Sequence, residues 1–118
     1  MKKKTFLVTG GTGFIGSNIS KLLVNENYYV KIFDNNSRGS FKKISEFKDK
    51  ISFIKGDIRN KKSLSRAIKN TDAVVHLAYV NGTKFFYSKP VTILDIAVKG
   101  MINVIQCCIE NTLKELYL

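Results

Sequence analysis

Apolar positions along the chain come in two arrangements, short unbroken runs and runs spaced three and four residues apart, and the two alternate from one end to the other. Thr5 to Thr9 is an apolar run closed by glycine, which predicts a strand buried on both faces. Ile15, Ile19, Leu22 and Leu23 then recur at helical intervals while Asn18, Lys21 and Asn25 face elsewhere, predicting an amphipathic helix. Tyr28 to Phe33 and Ile51 to Ile54 read as further strands, separated by the polar, lysine-rich segment Asn35 to Lys50. Asn60 or a near neighbour caps a short helix that turns Leu64, Ala67 and Ile68 inward. Ala73 to Ala78 reads as a fourth, central strand, and the loop Tyr79 to Pro90 follows it. The strongest helical pattern comes next: Leu94, Val98, Met101, Val104, Ile105, Cys108 and Ile109, with Pro90 placed where its missing N–H costs least. Leu113 to Leu118 opens a fifth strand. Alternating strand and helix predicts an α/β fold, a parallel doubly wound sheet with right-handed crossovers.

Between the first strand and the first helix stands Val8-Thr-Gly-Gly-Thr-Gly-Phe-Ile-Gly-Ser17, with four glycines in ten residues. The first turn of a helix carries unpaired N–H groups and a partial positive charge, and glycine lets a pyrophosphate approach them without obstruction. Two registers fit these letters, Gly11-x-Gly13-x-x-Gly16 and Gly10-x-x-Gly13-x-x-Gly16, and spacing alone does not choose between them. No lysine followed by Ser or Thr closes the run, which disfavours a nucleoside triphosphate loop. Asp34 ends the second strand 18 residues after Gly16, where a dinucleotide fold needs a carboxylate for the adenosine ribose. Its charge opposes a 2′-phosphate and favours NAD over NADP, whereas the nearby Arg38 and Lys42-Lys43 pull the other way.

Composition changes this picture little. The chain has 118 residues, a single-domain length, and 44% apolar residues. A net charge of +11 suggests attraction to polyanions, but the lysines are scattered and no nucleic-acid signature accompanies them, so a solvated basic surface is the expectation. Cys107 and Cys108 are adjacent on a helix, where pairing would be strained, and read as reduced core thiols of a cytoplasmic protein. With His76 the only histidine, no metal-ligand spacing is found. No apolar stretch is read as approaching the ~20 residues of a membrane span, so no membrane partner is expected.

Taken together these motifs resemble the extended short-chain dehydrogenase/reductase family, and within it the NAD-dependent epimerase/dehydratase group typified by UDP-glucose 4-epimerase. Thr9-Gly-Gly-Thr-Gly-Phe-Ile-Gly16 resembles that family's phosphate turn in the register Gly10, Gly13, Gly16, with Phe14 and Ile15 between the glycines. Asp34, Asn35, Asn36, Ser37 and Arg38 resemble the segment that holds the adenosine ribose. Gly56-Asp57-Ile58-Arg59 is similar to the adenine contact, which implies that Asp57 accepts from the adenine amino group and that Ile58 packs beside the ring. His76-Leu77-Ala78, leading to Tyr79, resembles the run that lines the path to the nicotinamide, with His76 itself a core histidine. The resemblance implies a Rossmann-type domain cut at about its fifth strand, residues 1–118 being its N-terminal part. It further implies NAD as cofactor, a nucleotide-sugar substrate and a homodimer for the full-length enzyme.

Two departures from the family pattern stand out. Its N-V-x-G-T-x-N run appears as Ala97-Val98-Lys99-Gly100-Met101-Ile102-Asn103, so alanine stands where an asparagine reaches the cofactor. Asn103, the polar member retained, either faces solvent or caps a buried carbonyl. The Ser/Thr segment and the Tyr-x-x-x-Lys pair that carry the family's proton transfer are not found among these residues, so this chain is expected to bind a cofactor and to hold no catalytic residue. Two alternatives remain within this reading: a noncatalytic NAD(P)-binding regulatory module, or an NADP-dependent reductase of the same superfamily.

Overall fold

The structure, a computed structural model, describes residues 3–35, 41–78 and 87–118. Among the described residues five parallel strands form one sheet in the order β3-β2-β1-β4-β5, with β1 at Thr5–Thr9, β2 at Tyr29–Asp34, β3 at Ile51–Lys55, β4 at Ala73–His76 and β5 at Glu115–Tyr117. The chain moves outward from β1 through β2 to β3, then crosses back to the other side of β1 for β4 and β5. This is the doubly wound arrangement predicted for alternating strands and helices.

Because successive strand side chains point to opposite faces, each central strand feeds two cores. Leu7 of β1 and Phe33 of β2 join Leu64, Ala67, Ile68, Val104, Cys107 and Cys108 beneath the helices α2 (Lys61–Ile68) and α3 (Pro90–Glu110). Val8, Val30 and Ile32 go the other way, meeting Val24 of α1 (Phe14–Asn25) together with Ile44 and Phe47. The last two belong to the segment expected to be merely polar. Phe41–Lys43 and Ser45–Lys50 form 3₁₀ turns, and Ile44 and Phe47, three residues apart, are the pair that such turns place on one side.

The helical faces need correction. On α1 the buried side is Gly16, Ser17, Ser20 and Val24, whereas Ile15 and Leu22, read as core positions, are exposed. A helix drawn close to the sheet by a glycine contact has room there for small side chains only. Along α3 the buried positions are Ile93, Gly100, Asn103, Val104, Cys107 and Cys108, and the apolar pattern Leu94, Val98, Ile105 and Ile109 lies exposed with Val91 and Ile102. This helix is apolar on both sides, so periodicity identifies a stripe without saying which side meets the sheet. Its 21 residues are also long and apolar enough to cross a membrane, contrary to the reading that no stretch approaches that length; here one side of it is packed into the core. Pro90 opens it at the first helical position, and Asp95–Lys99 makes a π-helical turn within it.

α2 begins as its sequence predicts. The Asn60 side chain accepts from the Ser63 amide at 3.1 Å, so Asn60→Ala is expected to lower stability by about 1 kcal/mol in urea denaturation.

Candidate functional site

Gly10, the residue after β1, has φ +74°, a conformation that side chains with a Cβ rarely take. A Cβ here would also press on the backbone of Leu77 and Ala78 at 2.8 Å. The Gly10 amide donates to the Phe33 carbonyl at 2.9 Å, and its own carbonyl accepts from Gly13 at 3.1 Å, closing the turn. Gly16 lies so near the Gly10 carbonyl that no Cβ fits between them. These contacts fit the register Gly10, Gly13, Gly16, and Gly11 is held to glycine as well, since a Cβ there would meet the Ile32 side chain at 2.5 Å.

Gly13 precedes α1 with no side chain capping the helix, and no acidic residue stands in the first turn. The amides of Phe14, Ile15 and Gly16 therefore have no acceptor within the helix, and they open at the carboxyl end of the sheet. A Cβ at Gly13 would meet only the Gly10 carbonyl, at 3.3 Å, so the outer side of the turn is open to a ligand of phosphate size. Phe14 and Ile15, 77% and 61% exposed, flank it. The strand order reverses between β1 and β4, and this turn sits at that switch point, where open α/β sheets bind their ligands.

Asp34 ends β2 and is buried, and one of its carboxylate oxygens accepts from the Thr12 amide at 2.9 Å. The carboxylate thus ties the glycine turn to the neighbouring strand as well as standing beside it. Asn35 follows and donates to Asp57. Asn36, Ser37, Arg38 and Tyr79 lie outside the described residues.

Asp57 sits in the turn after β3, where the Gly56 amide donates to the Asp34 carbonyl at 3.1 Å. Its carboxylate accepts from Arg59 Nη2 at 2.7 Å, from Arg59 Nε at 3.0 Å and from the Arg59 amide at 2.9 Å. The Arg59 guanidinium, helped by that amide and by Asn35, holds the Asp57 carboxyl below its ordinary range against the opposing effect of burial. Ile58 is 4% exposed and packs into the core against Gly100, so its side chain supports the turn from below.

At the end of β4, Thr9 and His76 form a buried node. Thr9 Oγ1 accepts from the Leu77 amide at 3.0 Å and from the Ala78 amide at 3.1 Å. With both lone pairs engaged, its single proton points to His76 Nδ1, 2.7 Å away. Nδ1 is therefore the acceptor and the ring is neutral. Burial pushes the His76 pKa down from 6.5 to about 4. An unfolded histidine takes up a proton in that interval while the folded one does not, so stability falls as pH drops from 6.5 toward 4, by about 3 kcal/mol in all. Urea denaturation at pH 7 and pH 4.5 checks this slope, which a His76→Gln variant is expected to flatten.

The fold brings Gly10, Gly13, Phe14, Ile15, Gly16, Asp34, Leu77 and Ala78 to one end of the sheet, with Asn35 and Asp57 joined beside them. Three contributors escaped the sequence reading. Thr9 and Thr12 sit inside the glycine motif yet work through a hydroxyl and an amide, and Arg59 holds the carboxylate two residues before it. The spacing Asp57-x-Arg59 is the one signal that was available for the last of these.

A glycine turn at the switch point of a parallel sheet, with an acid closing the adjacent strand, defines a dinucleotide-binding protein of Rossmann type. The NAD dependent epimerase/dehydratase family model matches residues 6–118, and the chain belongs to that family. It is similar to the UDP-N-acetyl-alpha-D-glucosaminuronate decarboxylase of Bacillus cytotoxicus, 32% identical over 115 residues that make up 98% of this chain and 36% of that protein. Among solved structures it is similar to the UDP-glucose 4-epimerase of Thermus thermophilus in complex with NAD, with TM-score 0.87 and 29% identity over 95% of this chain and 36% of that one. It is also similar to the epimerase Mth375 of Methanothermobacter thermautotrophicus, with TM-score 0.91 and 31% identity over 98% of this chain and 34% of the other. The chain thus spans about a third of the length of these relatives.

Proposed function

We propose that this chain binds NAD, as the cofactor-holding part of an enzyme that epimerises or dehydrates a nucleotide sugar. The observation that carries the reading is the uncapped first turn of α1, open beside Gly13 and set against the buried carboxylate of Asp34. The amides of that turn receive the pyrophosphate, with Phe14 and Ile15 covering it. Asp34 accepts from the adenosine ribose, helped by Asn35, Asn36, Ser37 and Arg38, and its charge disfavours a 2′-phosphate. Asp57, held in place by Arg59, faces the adenine amino group. Leu77, Ala78 and Tyr79 line the way to the nicotinamide. When bound, NAD supplies a hydride acceptor for the sugar. The unpaired, buried thiols of Cys107 and Cys108 suit the reducing conditions of the cytoplasm.

The exposed apolar stripe of α3, Val91, Leu94, Val98, Ile102, Ile105 and Ile109, is the surface on which a homodimer of the complete enzyme would form. A second reading, a noncatalytic NAD-binding module, is favoured by Ala97, whose methyl group offers no hydrogen bond where the family pattern has asparagine. Calorimetry with NAD, NADP and a short DNA duplex tests the common core of both. NAD is expected to bind, NADP more weakly, and the duplex only at low salt. Binding of the duplex at physiological salt without NAD affinity would overturn the proposal. Ala97→Asn is expected to strengthen NAD binding if that position faces the cofactor, a difference that calorimetry with NAD reads.

A further inference from the structure

We infer that Asn103 is a positioning residue for adenine recognition: from α3 it fixes the peptide plane that holds the Asp57 carboxylate. The inference rests on the NAD reading above and adds to it a residue 45 positions away in sequence. Asn103 is buried, and its Nδ2 donates to the Ile58 carbonyl at 2.8 Å. That carbonyl belongs to the same planar peptide group as the Arg59 N–H. The Arg59 N–H donates to Asp57 Oδ1 at 2.9 Å. Holding one end of the plane therefore aims the other, and the carboxylate with it.

The rest of the packing supports this grip. Less than one helical turn before Asn103, Gly100 lets Ile58 lie where a Cβ would stand, so the turn rests directly on the helix backbone. Further along α3, Asp95 Oδ2 is 3.9 Å from Arg59 Nη1, on the outer side of the same guanidinium that grips Asp57. The feet of the turn are secured separately, by the Gly56 amide on the Asp34 carbonyl and by the Asn60 amide on the Asp57 carbonyl at 2.9 Å. Its apex, Ile58-Arg59, depends on α3. Without the Asn103 amide, the Ile58 carbonyl stays buried and unpaired, and rotating the peptide to relieve it withdraws the Arg59 N–H from Asp57.

The test compares NAD with nicotinamide hypoxanthine dinucleotide, which carries an oxygen in place of the adenine amino group. Binding of each is measured for the chain and for Asn103→Leu, which keeps the side-chain volume and removes the donor. The unaltered chain is expected to prefer NAD by about tenfold, the order of one hydrogen bond to a charged group, and Asn103→Leu to reduce that preference below about threefold while still binding both. A merely structural asparagine would lower the melting temperature, or both affinities together, and leave the ratio intact; that result overturns the inference while leaving the NAD reading standing. If the unaltered chain binds both dinucleotides equally, the adenine role of Asp57 falls, and this inference with it. Should Asn103→Leu not fold, Asn103→Ser, whose hydroxyl is too short to reach the carbonyl, is judged by the same ratio.

Discussion

Asp34→Ala is expected to weaken NAD binding about a hundredfold and to erase the preference for NAD over NADP. A ribose diol gives two hydrogen bonds to a carboxylate, each contributing about 1.5–3 kcal/mol because one partner is charged. Their joint loss is about 3 kcal/mol, a factor of roughly a hundred in affinity. The 2′-phosphate of NADP, no longer repelled, then binds about as well as the bare hydroxyl. The same substitution strips the buried Thr12 amide of its acceptor, so about 1–3 kcal/mol of stability goes with it. Asp34→Asn separates the two effects: a side-chain oxygen remains for Thr12 while the charge is gone, so stability recovers and the NADP discrimination does not. Calorimetry with both dinucleotides and urea denaturation give the two readouts. An unchanged NAD to NADP ratio in Asp34→Ala would show that this carboxylate does not read the ribose.

Thr9→Val is expected to cost about 2–4 kcal/mol, a large part of the stability of a domain this size. Valine matches the shape of threonine and removes one oxygen, on which three groups converge: the Leu77 and Ala78 amides and His76 Nδ1. The part-buried Ala78 amide, left without that acceptor, costs about 1–3 kcal/mol and the ring nitrogen loses its donor as well, whereas the Leu77 amide keeps the Thr9 carbonyl at 3.0 Å. Thr9→Ser keeps the oxygen and should stay within about 1.5 kcal/mol of the unaltered chain, the deficit coming from the missing methyl group. Equal stability of the valine variant, by urea denaturation at pH 7, would mean that the node does not fasten β4 to β1. Because Leu77 and Ala78 lie against Gly10, the valine variant is also expected to bind NAD more weakly even where it remains folded.

Much of this architecture was legible in the chain, for reasons that can be traced residue by residue. The strands were legible because buried parallel strands are unbroken apolar runs, and Leu7-Val8 and Ile32-Phe33 fill both cores as such runs must. The cap at Asn60 was legible because its chemistry is local, complete within four residues. The faces of α1 and α3 were not. An apolar residue is consistent with a core and with an exposed stripe alike, and only the docking of each helix decides between them. Ile44 and Phe47 were lost among the lysines around them, since a short 3₁₀ turn carries too few residues for a period to emerge. At the site, glycines and the strand-ending acid declare themselves by type and spacing. Ile58 was legible only through its motif, and its packing against Gly100 on a distant helix leaves no local signal.

By itself the sequence determined the order of strands and helices, the place of the glycine turn, and the acid that stands across from it, because each depends on neighbours within a few residues. The tertiary structure decided which side of each long helix is covered, and what Asp34, Thr9 and Asn103 hold. The reason is physical. A backbone angle of +74° at Gly10, a hydroxyl shared by two amides, and a side chain reaching 45 residues back are set by how strands and helices approach one another, and that approach leaves no period in the chain.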